Sequence, residues 1–317
     1  MPNTYLDFEK PLVELEKKIA ELKRYAGEKE IDLRAEIALL EKKAAELKEK
    51  TYQNLAPWQR LQLARHPERP NFLDYVELLF TDFLFLHGDR CTGDDPAVVG
   101  GIGRFEGSPV TVIGHRKGHN TKENLACHFG MPHPEGFRKA LRLAKQAEKF
   151  QRPVIFLVDT PGAYSGIAAE ERGQSWAIAA NLCSLARIET PMIVVITGEG
   201  GSGGALALGV GDVVLMLEHA VFSVISPEGC AAILWKDASR APEAASALKI
   251  TATELLELGL IDAIVPEPLG GAHRDPKATA ENLRLELRKW VSQLREIPPS
   301  ELVNRRWERL RRIGSFS

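Results

Sequence analysis

A glycine-rich segment, Gly198–Gly204, contains the residues of this chain best suited to carry chemistry. It follows the apolar run Met192–Thr197, which predicts a buried strand, and it precedes Ala205–Leu208, which predicts the start of a helix. Glycine lets a backbone approach a ligand closely, and the first N–H groups of a helix have no partner within that helix. Together these features can form an oxyanion hole, a set of fixed donors aimed at an oxygen that gains negative charge.

The junction between strand and helix places the expected donors at Gly203 and Gly204, while Gly200 and Gly201 shape the approach to them. A site of this kind needs no nucleophilic side chain. The alternative is that the glycines serve only a tight turn and its packing. Five glycines in seven residues are more than one turn requires, so the spacing favours a site.

The same segment matches the dinucleotide-binding fingerprint through Gly198, Gly200 and Gly203. Glu218 lies about twenty residues further on, where an acidic residue would bind the ribose. The intervening helix would have to end before Gly211, which is too short for the crossover of a doubly wound sheet. The spacing therefore disfavours a dinucleotide site.

The segment also contains the Gly-x-Ser-x-Gly spacing of a nucleophile elbow, centred on Ser202. A serine hydrolase with this elbow would use an acidic residue such as Asp237 or Asp262, and then His273, in the chain order Ser, Asp, His. His273 lies in a Gly-rich stretch that is equally typical of a plain loop. Serine hydrolysis through Ser202 therefore stays open as the alternative function.

A second turn, Asp159–Gly166, follows the apolar run Val154–Val158, which predicts another buried strand. The first four residues of this turn resemble the magnesium-binding sequence of a GTPase. That function also needs an upstream Gly-Lys-Ser/Thr phosphate loop, which this sequence lacks. Nucleotide hydrolysis is therefore not expected.

The elements that must position these turns alternate between strand and helix patterns, which predicts an α/β layered core. Residues 52–95 are predicted to be mostly helical. The other predicted strands are Val98–Phe105, Val110–His115, Val213–Leu217, Val221–Val224 and Leu260–Val265. The predicted helices are Gly136–Phe150, Ala168–Ala186, a helix after Ser226, and Thr251–Leu258.

The two ends of the chain differ from this core. The N-terminal part predicts two amphipathic helices that form a hairpin, with a turn at Gly27–Glu30, and its narrow apolar stripe suits either a cap on the chain's own domain or a docking arm. The C-terminal part predicts a basic helix from Glu301. Nucleic-acid binding would favour several aromatic residues among the arginines, and Trp307 is the only one there. A solvated or interface helix is therefore favoured over nucleic-acid binding.

Composition excludes several classes of protein. The 317 residues are 44% hydrophobic and 26% charged, which excludes a mainly disordered chain, and the net charge of −2 gives no global case for nucleic-acid or membrane binding. The four cysteines form no Cys-x-x-Cys pair, so neither a zinc ribbon nor a disulfide framework is expected. Without a signal peptide or an apolar run of about 20 residues, the sequence predicts a cytoplasmic protein.

Several long collinear runs are similar to one known family. They are Leu63–Pro67, Gly130–Pro132, Pro134–Gly136, Asp159–Tyr164, Glu170–Gln174, Gly198–Ala205, Val224–Cys230 and Pro266–His273. On these runs the chain resembles, over nearly its whole length, the alpha subunits of bacterial acetyl-coenzyme A carboxylase carboxyltransferases. The resemblance implies an α/β crotonase-like fold, a spiral of ββα units, preceded by the helical hairpin. It divides the chain into residues 1–55 (hairpin), 56–295 (carboxyltransferase domain) and 296–317 (basic helix).

The resemblance also implies an activity and a set of partners. Such an enzyme moves a carboxyl group from carboxybiotin, on a carrier protein, to acetyl-CoA, and the product malonyl-CoA begins fatty acid biosynthesis. The alpha subunit would be active only with a beta subunit in an alpha2beta2 assembly, together with biotin carboxyl carrier protein and biotin carboxylase. No covalently bound cofactor and no metal are expected in this chain, and zinc is expected only in the beta subunit.

The resemblance assigns roles to residues as well. N–H groups within Gly200–Ala205, Ala205 included, would stabilise the ureido oxygen of biotin, and a second hole in the beta subunit would stabilise the enolate of acetyl-CoA. The other wall of the pocket would be Gly162, Ala163, Tyr164, Ser165 and Gly166, where Ser165 replaces an expected proline. Ser226, Pro227 and Glu228 would also bind substrate. In this interpretation Ser202 is a turn residue and not a nucleophile.

Overall fold

Eight strands form one mixed sheet in the computed structural model, which describes residues 5–29 and 32–314. They are β1 (Thr81–Phe85), β2 (Val98–Phe105), β3 (Ser108–His115), β4 (Val154–Thr160), β5 (Met192–Gly201), β6 (Val213–Leu217), β7 (Val221–Ser223) and β8 (Ala263–Val265). Their order is β1-β2-β3-β4-β5-β6-β8, with β7 beside the end of β5. The pairs among β1, β2 and β3 are antiparallel, and the other pairs are parallel.

Fourteen α-helices accompany the sheet within the described residues. The first seven are α1 (Lys10–Lys29), α2 (Arg34–Gln53), α3 (Pro57–Ala64), α4 (Phe72–Leu79), α5 (Thr121–Ala126), α6 (Pro134–Lys149) and α7 (Ile167–Glu171). The others are α8 (Gln174–Leu185), α9 (Ser202–Leu206), α10 (Pro227–Trp235), α11 (Ala241–Ala247), α12 (Ala252–Glu257), α13 (Pro276–Arg295) and α14 (Pro299–Arg311). The predicted α/β class is therefore confirmed.

The centre of the sheet is buried because the runs Val154–Val158 of β4 and Met192–Ile196 of β5 are apolar. Every residue of β4 and β5 is buried, as is typical of parallel strands covered by helices. Helix α6 packs against β2 and β3, and α13 packs against β5 and β8. Burying one Val or Ile side chain stabilises the fold by about 1.5–3 kcal/mol, so this core holds the carboxyl ends of β4 and β5 firmly side by side.

Strand β5 changes its neighbours along its length. Ile193–Ile196 pair with β6, whereas Glu199–Gly201 pair with β7, and Gly200 lies opposite Thr160 of β4. The segment predicted as a glycine-rich turn is therefore held between two strands over its first half. The helix that follows begins at Ser202, three residues earlier than the sequence predicts.

The N-terminal helices α1 and α2 pack against each other as predicted, and Lys23 and Glu41 form an ion pair of 2.6 Å between them. The base of this hairpin is fixed to the rest of the chain through Glu9, which is buried. Its carboxylate accepts hydrogen bonds from the Tyr52 hydroxyl and, at 3.4 Å, from Arg274. An apolar cluster at the same end joins the hairpin to α3.

The basic helix α14 is docked on the sheet and not freely solvated along its inner face. Arg306 is fully buried and donates a hydrogen bond of 2.9 Å to Asp212, just before β6. Arg309 pairs with Asp262, just before β8, at 3.1 Å. Helix α14 therefore covers the amino edge of the parallel strands. The division of the chain at residues 55 and 295 stays a prediction.

Some predicted elements differ from the structure. Residues 52–95 contain strand β1, and helix α13 follows a stretch for which the sequence predicts only a loop. The predicted helix Ala168–Ala186 is broken at Gly173, whose φ of +83° ends α7. Helix α1 continues through Gly27 to Lys29, so the predicted turn at Gly27–Glu30 begins too early, and Glu30 lies outside the described residues.

Candidate active site

The turns that follow β4 and β5 touch each other at the carboxyl edge of the sheet. A Cβ atom at Gly204 would lie 2.5 Å from the carbonyl carbon of Gly162 and 2.6 Å from the amide nitrogen of Ala163. No side chain fits between these backbones, so glycine at position 204 is what allows the contact. The two segments predicted as walls of one pocket are thus neighbours.

The junction between β5 and α9 is strained at Ser202, whose φ is +51°. A non-glycine residue in this region costs about 1–2 kcal/mol. The Ser202 side chain is exposed, whereas Gly204 and Ala205 are buried. Gly203 is half-buried, and the nearest atom to a Cβ there would be Cδ1 of Ile178 at 3.5 Å. The backbone of Gly203 is therefore the more accessible of the two expected donors.

Helix α9 offers its first N–H groups at this junction. Helix geometry leaves the N–H groups of Ser202, Gly203 and Gly204 without an acceptor inside the helix. Because β5, β7 and the turn after β4 fix the backbone, these donors need no reorganisation to meet an oxyanion. The arrangement can stabilise negative charge on a ligand oxygen.

A charged cluster lies directly behind the glycine turn. The Asp159 carboxylate accepts hydrogen bonds from Lys117 Nζ at 2.6 Å and from the Glu199 N–H at 2.8 Å. The Glu199 carboxylate accepts two from Arg65, at 3.0 Å from Nε and 2.6 Å from Nη2. A Cβ at Gly198 would lie 2.5 Å from the Asp159 carboxylate, so glycine makes room for it. The cluster fixes the β5 backbone just before the donors.

The other wall is the turn after β4. Thr160 closes it: its hydroxyl donates to the Gly162 carbonyl at 2.9 Å and accepts from the Gly162 N–H at 3.1 Å. The ring of Tyr164 stacks on His133, with centroids 4.2 Å apart. Ser165 is exposed, so the residue found in place of an expected proline makes no buried contact. Gly166 lies against the edge of the Tyr164 ring and ends the turn.

Charged side chains brace the stack of Tyr164 on His133. Arg172 lies 3.0 Å from Nδ1 of His133 and 2.8 Å from the Glu135 carboxylate. Burial lowers the pKa of His133, and the positive charge of Arg172 lowers it further. The imidazole is therefore neutral near pH 7 and can accept a hydrogen bond from Arg172. This network sets the orientation of Tyr164.

The segment Ser226, Pro227 and Glu228 forms the start of α10. The Ser226 side chain caps the helix by accepting a hydrogen bond from the Gly229 N–H at 3.1 Å, and Pro227 occupies the first helical turn. The Glu228 carboxylate accepts a hydrogen bond of 2.6 Å from Nη1 of Arg65. The third predicted part of the site is therefore joined to the glycine turn through one arginine.

His115, at the end of β3, is a buried histidine beside the glycine turn. It is 1% exposed, and neither ring nitrogen has a hydrogen-bond partner among residues 5–29 and 32–314. Burial lowers the pKa of His115 to about 4, although the charge of Asp159 acts in the opposite direction. The imidazole is therefore neutral at pH 7, and it lies close to the backbone of Gly204.

The triad that serine hydrolysis requires is not formed. Asp237 caps a turn near α11, and Asp262 lies at the amino edge of the sheet, bonded to α14. His273 stacks on His66 with centroids 3.9 Å apart, and its ring nitrogens bond no described residue, Ser202 included. In the part of the chain that the structure describes, His273 therefore does not serve as a general base for the Ser202 hydroxyl, and the serine hydrolase alternative is not supported.

The dinucleotide fingerprint has no structural counterpart either. Gly198 and Gly200 lie within β5 and not in a loop. The helix that follows, α9, has only five residues and is not the long helix of a dinucleotide site. The Glu218 carboxylate accepts a hydrogen bond of 3.1 Å from the Glu267 N–H. This acidic residue therefore supports its own chain and is not left free for a ribose.

Exposed apolar side chains surround the two turns. Ile167 follows Gly166 directly, Leu206 ends α9, Val224 follows β7, and Trp176 lies on α8. These four side chains are between 45% and 80% exposed. Large apolar groups gathered around a polar pocket mark an interaction surface.

Sequence reasoning missed the charged cluster. Arg65 lies in the run Leu63–Pro67, which carried the resemblance but received no role. Lys117 gave no signal because its partner Asp159 is 42 positions away, and that aspartate drew attention only as a possible magnesium ligand. The buried imidazole of His115 and the half-buried one of His133 were missed for the same reason: a lone histidine in a sequence shows nothing of its surroundings.

The described residues contain neither a metal-binding cluster nor a membrane-spanning helix. Within residues 5–29 and 32–314, no group of three or more His, Cys, Asp or Glu side chains is placed to hold a metal ion. In the same ranges, every helix is too short or too polar to cross a bilayer. The charged groups at the site pair with each other, as Arg69 does with Glu267 at 2.5 Å.

Comparisons with known proteins agree with one another. Residues 5–314 match the family model described as acetyl co-enzyme A carboxylase carboxyltransferase-like. The acetyl-coenzyme A carboxylase carboxyl transferase subunit alpha of Carboxydothermus hydrogenoformans is 60% identical over 315 residues, covering 99% of this chain and 98% of that protein. The protein of the same name from Halalkalibacterium halodurans is 59% identical, covering 99% and 97%.

Solved structures of low sequence identity share the fold. Transcarboxylase 12S has a TM-score of 0.56 at 19% identity, and the match covers 71% of this chain but only 42% of that one. A Pseudomonas malonate decarboxylase hetero-tetramer has a TM-score of 0.56 at 19% identity, covering 70% and 91%. These likenesses bear on the fold alone, and they confirm the predicted crotonase-like class.

Proposed function

We infer the function from the premise that this chain belongs to the family of acetyl-coenzyme A carboxylase carboxyltransferase alpha subunits. The chain acts in the transfer of a carboxyl group from carboxybiotin to acetyl-CoA. The product is malonyl-CoA, and the reaction is the first committed step of fatty acid biosynthesis.

The N–H groups of Gly203 and Gly204, with Ala205 behind them, stabilise the ureido oxygen of biotin in this proposal. When the bond between the biotin nitrogen and the carboxyl carbon breaks, its electron pair delocalises onto that oxygen. The nitrogen then removes a proton from the acetyl methyl group, and the resulting enolate takes up the released carbon dioxide. Losing one such donor raises the barrier by about 3 kcal/mol.

The observation that carries this assignment is the backbone contact between the two turns. Gly204 lies against Gly162 and Ala163 with no room for a side chain, so the two turns are held in one position relative to each other. A ligand oxygen would reach the donors from the side of Gly203, which is half-buried. Gly200 and Gly201 shape the approach, and Tyr164, Ser165 and Gly166 line the other side. Ser226, Pro227 and Glu228 close the pocket from α10.

A beta subunit is proposed to complete the site from the exposed apolar rim formed by Ile167, Trp176, Leu206 and Val224. These side chains are costly to leave in water around a pocket that must exclude it. In the proposed alpha2beta2 assembly, the beta subunit supplies the hole for the enolate and carries the zinc ribbon. Biotin carboxyl carrier protein, charged by biotin carboxylase, delivers the carboxybiotin, and the setting is the cytoplasm.

The test is the reverse reaction, biotin-dependent conversion of malonyl-CoA to acetyl-CoA. It should be measured with this chain alone and with a co-expressed beta subunit. Activity in the pair and none in the single chain is the expected result. A well-assembled pair without activity would contradict the proposal, and esterase activity of the single chain would revive hydrolysis.

A further inference from the structure

We propose that Arg65 is a positioning residue that locks the glycine turn after β5 to the start of α10. The glycine turn and the α10 segment of the carboxybiotin pocket then keep one geometry. The inference rests on the proposed function, since it assigns a role within that same pocket. It concerns a side chain outside the glycine turns, on the short loop after α3.

The guanidinium of Arg65 contacts two carboxylates from different elements. Nε and Nη2 donate to one oxygen of Glu199, on β5, at 3.0 and 2.6 Å. Nη1 donates to Glu228, in the first turn of α10, at 2.6 Å. The planar guanidinium holds its five N–H groups in a fixed fork, so these two contacts set the spacing between β5 and α10.

Glu199 connects Arg65 to the backbone that carries the donors. Its backbone N–H is held by Asp159 at 2.8 Å and its carboxylate by Arg65, and Lys117 lies 4.0 Å from the other carboxylate oxygen. Gly200 follows immediately, so the direction of the chain into the donors depends on Glu199. The side chain of Glu199 is 8% exposed and is screened little by solvent.

Glu228 has a conformation that depends on Arg65 in the same way. One of its carboxylate oxygens accepts from Arg65, while Oε2 is buried and has no hydrogen-bond partner among the described residues. Burial alone would raise the pKa of Glu228, but hydrogen bonds from Arg65, from the backbone of Glu228 and from Ser226, together with the charge of Arg65, outweigh it, so the pKa is lowered. Without the guanidinium, this half-buried carboxylate would lose its main attraction to β5.

The surroundings give the glycine turn room to shift when Arg65 no longer contacts Glu199 and Glu228. A cavity of about 260 Å³ lies beside the cluster, lined by Arg65, Lys117, Asp159, Pro161 and Glu199 among others. A side chain that loses its partner can relax into such a space. A misplacement of about 1 Å in a site that depends on fixed donors can cost on the order of a hundredfold in rate.

The experiment uses the complex with the beta subunit and compares Arg65→Lys with the wild type. Lysine keeps the charge but has no fork with which to contact both carboxylates. We expect kcat for biotin-dependent decarboxylation of malonyl-CoA to fall about 10- to 100-fold. The KM for malonyl-CoA should not change, because the CoA ester is expected on the beta subunit. Arg288→Lys is the matched control, since Arg288 joins α13 to Glu106 far from the pocket.

Glu228→Gln is the second variant, because it leaves the contact between Arg65 and Glu199 intact. It should lower kcat in the same direction, and the double variant Arg65→Lys, Glu228→Gln should be no worse than Arg65→Lys alone. Such non-additivity is the signature of two residues that form one link. Additive losses would mean that the two residues act separately and would overturn the inference.

A purely structural role for Arg65 would also give a distinct result. Melting temperature and yield of the complex would fall, while kcat per assembled complex and the KM for biotin would stay at the wild-type values. That result, or full activity of either single variant, overturns the inference. An inactive wild-type complex instead overturns the proposed function, and the inference falls with it.

Discussion

The two edges of the parallel sheet both carry arginine–carboxylate pairs, but the two pairs position different parts of the chain. The pair at the amino edge is buried, and the arginine at the carboxyl edge is half-buried. At the amino edge, Arg306 and Asp212 attach helix α14 to the start of the strands, and Asp212 also accepts a hydrogen bond of 2.8 Å from the Met192 N–H. At the carboxyl edge, Arg65 holds Glu199, the residue directly before the glycine turn. The same kind of ion pair attaches helix α14 at the amino edge and positions the backbone of the glycine turn at the carboxyl edge.

The amino edge is therefore expected to contribute to stability, and the carboxyl edge to the reaction. Replacing a charge at the amino edge should change stability and leave the chemistry of folded molecules alone. A change at the carboxyl edge should affect the reaction more than the stability. Removing one member of a buried pair costs much because it leaves an uncompensated charge, so the amino edge gives the largest expected effect.

Arg306→Met tests the amino edge. The variant leaves Asp212 buried without its partner, and we expect the free energy of unfolding to fall by about 3–5 kcal/mol. Urea denaturation at pH 7 measures this, and kcat per folded complex should stay near the wild-type value. Arg311→Met on the same helix is the control, because Arg311 is exposed. A loss below about 1 kcal/mol would show that Arg306 is only a surface contact.

Gly204→Ala tests the carboxyl edge. The new Cβ would lie 2.5 Å from the Gly162 backbone, so the two turns must separate. The N–H groups of Gly203 and Gly204 are then displaced from the oxygen that they would stabilise. We expect carboxyl transfer to slow by about 10²- to 10³-fold in the complex, comparable to the loss of one oxyanion donor. Gly27→Ala is the control, since its Cβ would meet no atom within 4 Å. Gly204→Pro, which deletes the N–H itself, should be at least as slow.

Wild-type activity of Gly204→Ala in an assembled complex would contradict the assignment of the donors. A collapse in assembly, with normal activity in the fraction that assembles, would instead place Gly204 in packing alone. Gly203→Ala tests the neighbouring donor. Because its Cβ would have Ile178 as nearest neighbour at 3.5 Å, this change should slow the reaction less than Gly204→Ala.

The core of the fold could be predicted from sequence because local composition determines it. The runs in β4 and β5 are apolar without interruption, which is possible only for strands buried on both faces. Strand β1 was missed because its residues are mostly exposed and do not alternate. Helix α13 was missed although Leu283, Leu287 and Val291 recur at helical spacing, because the motif at His273 drew attention to the preceding loop.

The site could be predicted only in part, for a related reason. Glycines at a strand-to-helix junction are visible in sequence because the backbone requires them locally, as at Gly204. The charged cluster depends on contacts between residues 40 or more positions apart, such as Lys117 with Asp159 and Arg65 with Glu199. A charged residue in a sequence does not show its partner. The link that Arg65 forms between β5 and α10 is therefore visible only in the structure.

The buried imidazole of His115 gives the carboxyl edge a pH dependence of stability. Its pKa is about 4 in the folded chain and about 6.5 when unfolded, so the unfolded state binds the proton first as pH falls. Stability is complete above about pH 6.5 and is lost progressively toward pH 4. Between pH 7 and 5 this histidine alone should remove about 2 kcal/mol from the free energy of unfolding.

His115→Asn should therefore lose about 2 kcal/mol less than the wild type between pH 7 and 5, as measured by urea unfolding at the two pH values. His87→Asn is the control for mutating a histidine, since His87 is exposed. Equal pH dependence in His115→Asn and the wild type would mean that His115 gains its proton as easily in the folded chain. The carboxyl edge would then be more open to water than the structure indicates.

Ser202→Ala gives the smallest expected effect, and it separates carboxyl transfer from hydrolysis. The Ser202 side chain is exposed, and His273 is stacked elsewhere, so no base activates the hydroxyl. Alanine keeps the backbone N–H, so activity of the complex should stay within about twofold of the wild type. A serine-directed phosphonate should label neither protein. Labelling of the wild type together with inactive Ser202→Ala would show that the side chain, and not the backbone of this turn, carries the chemistry.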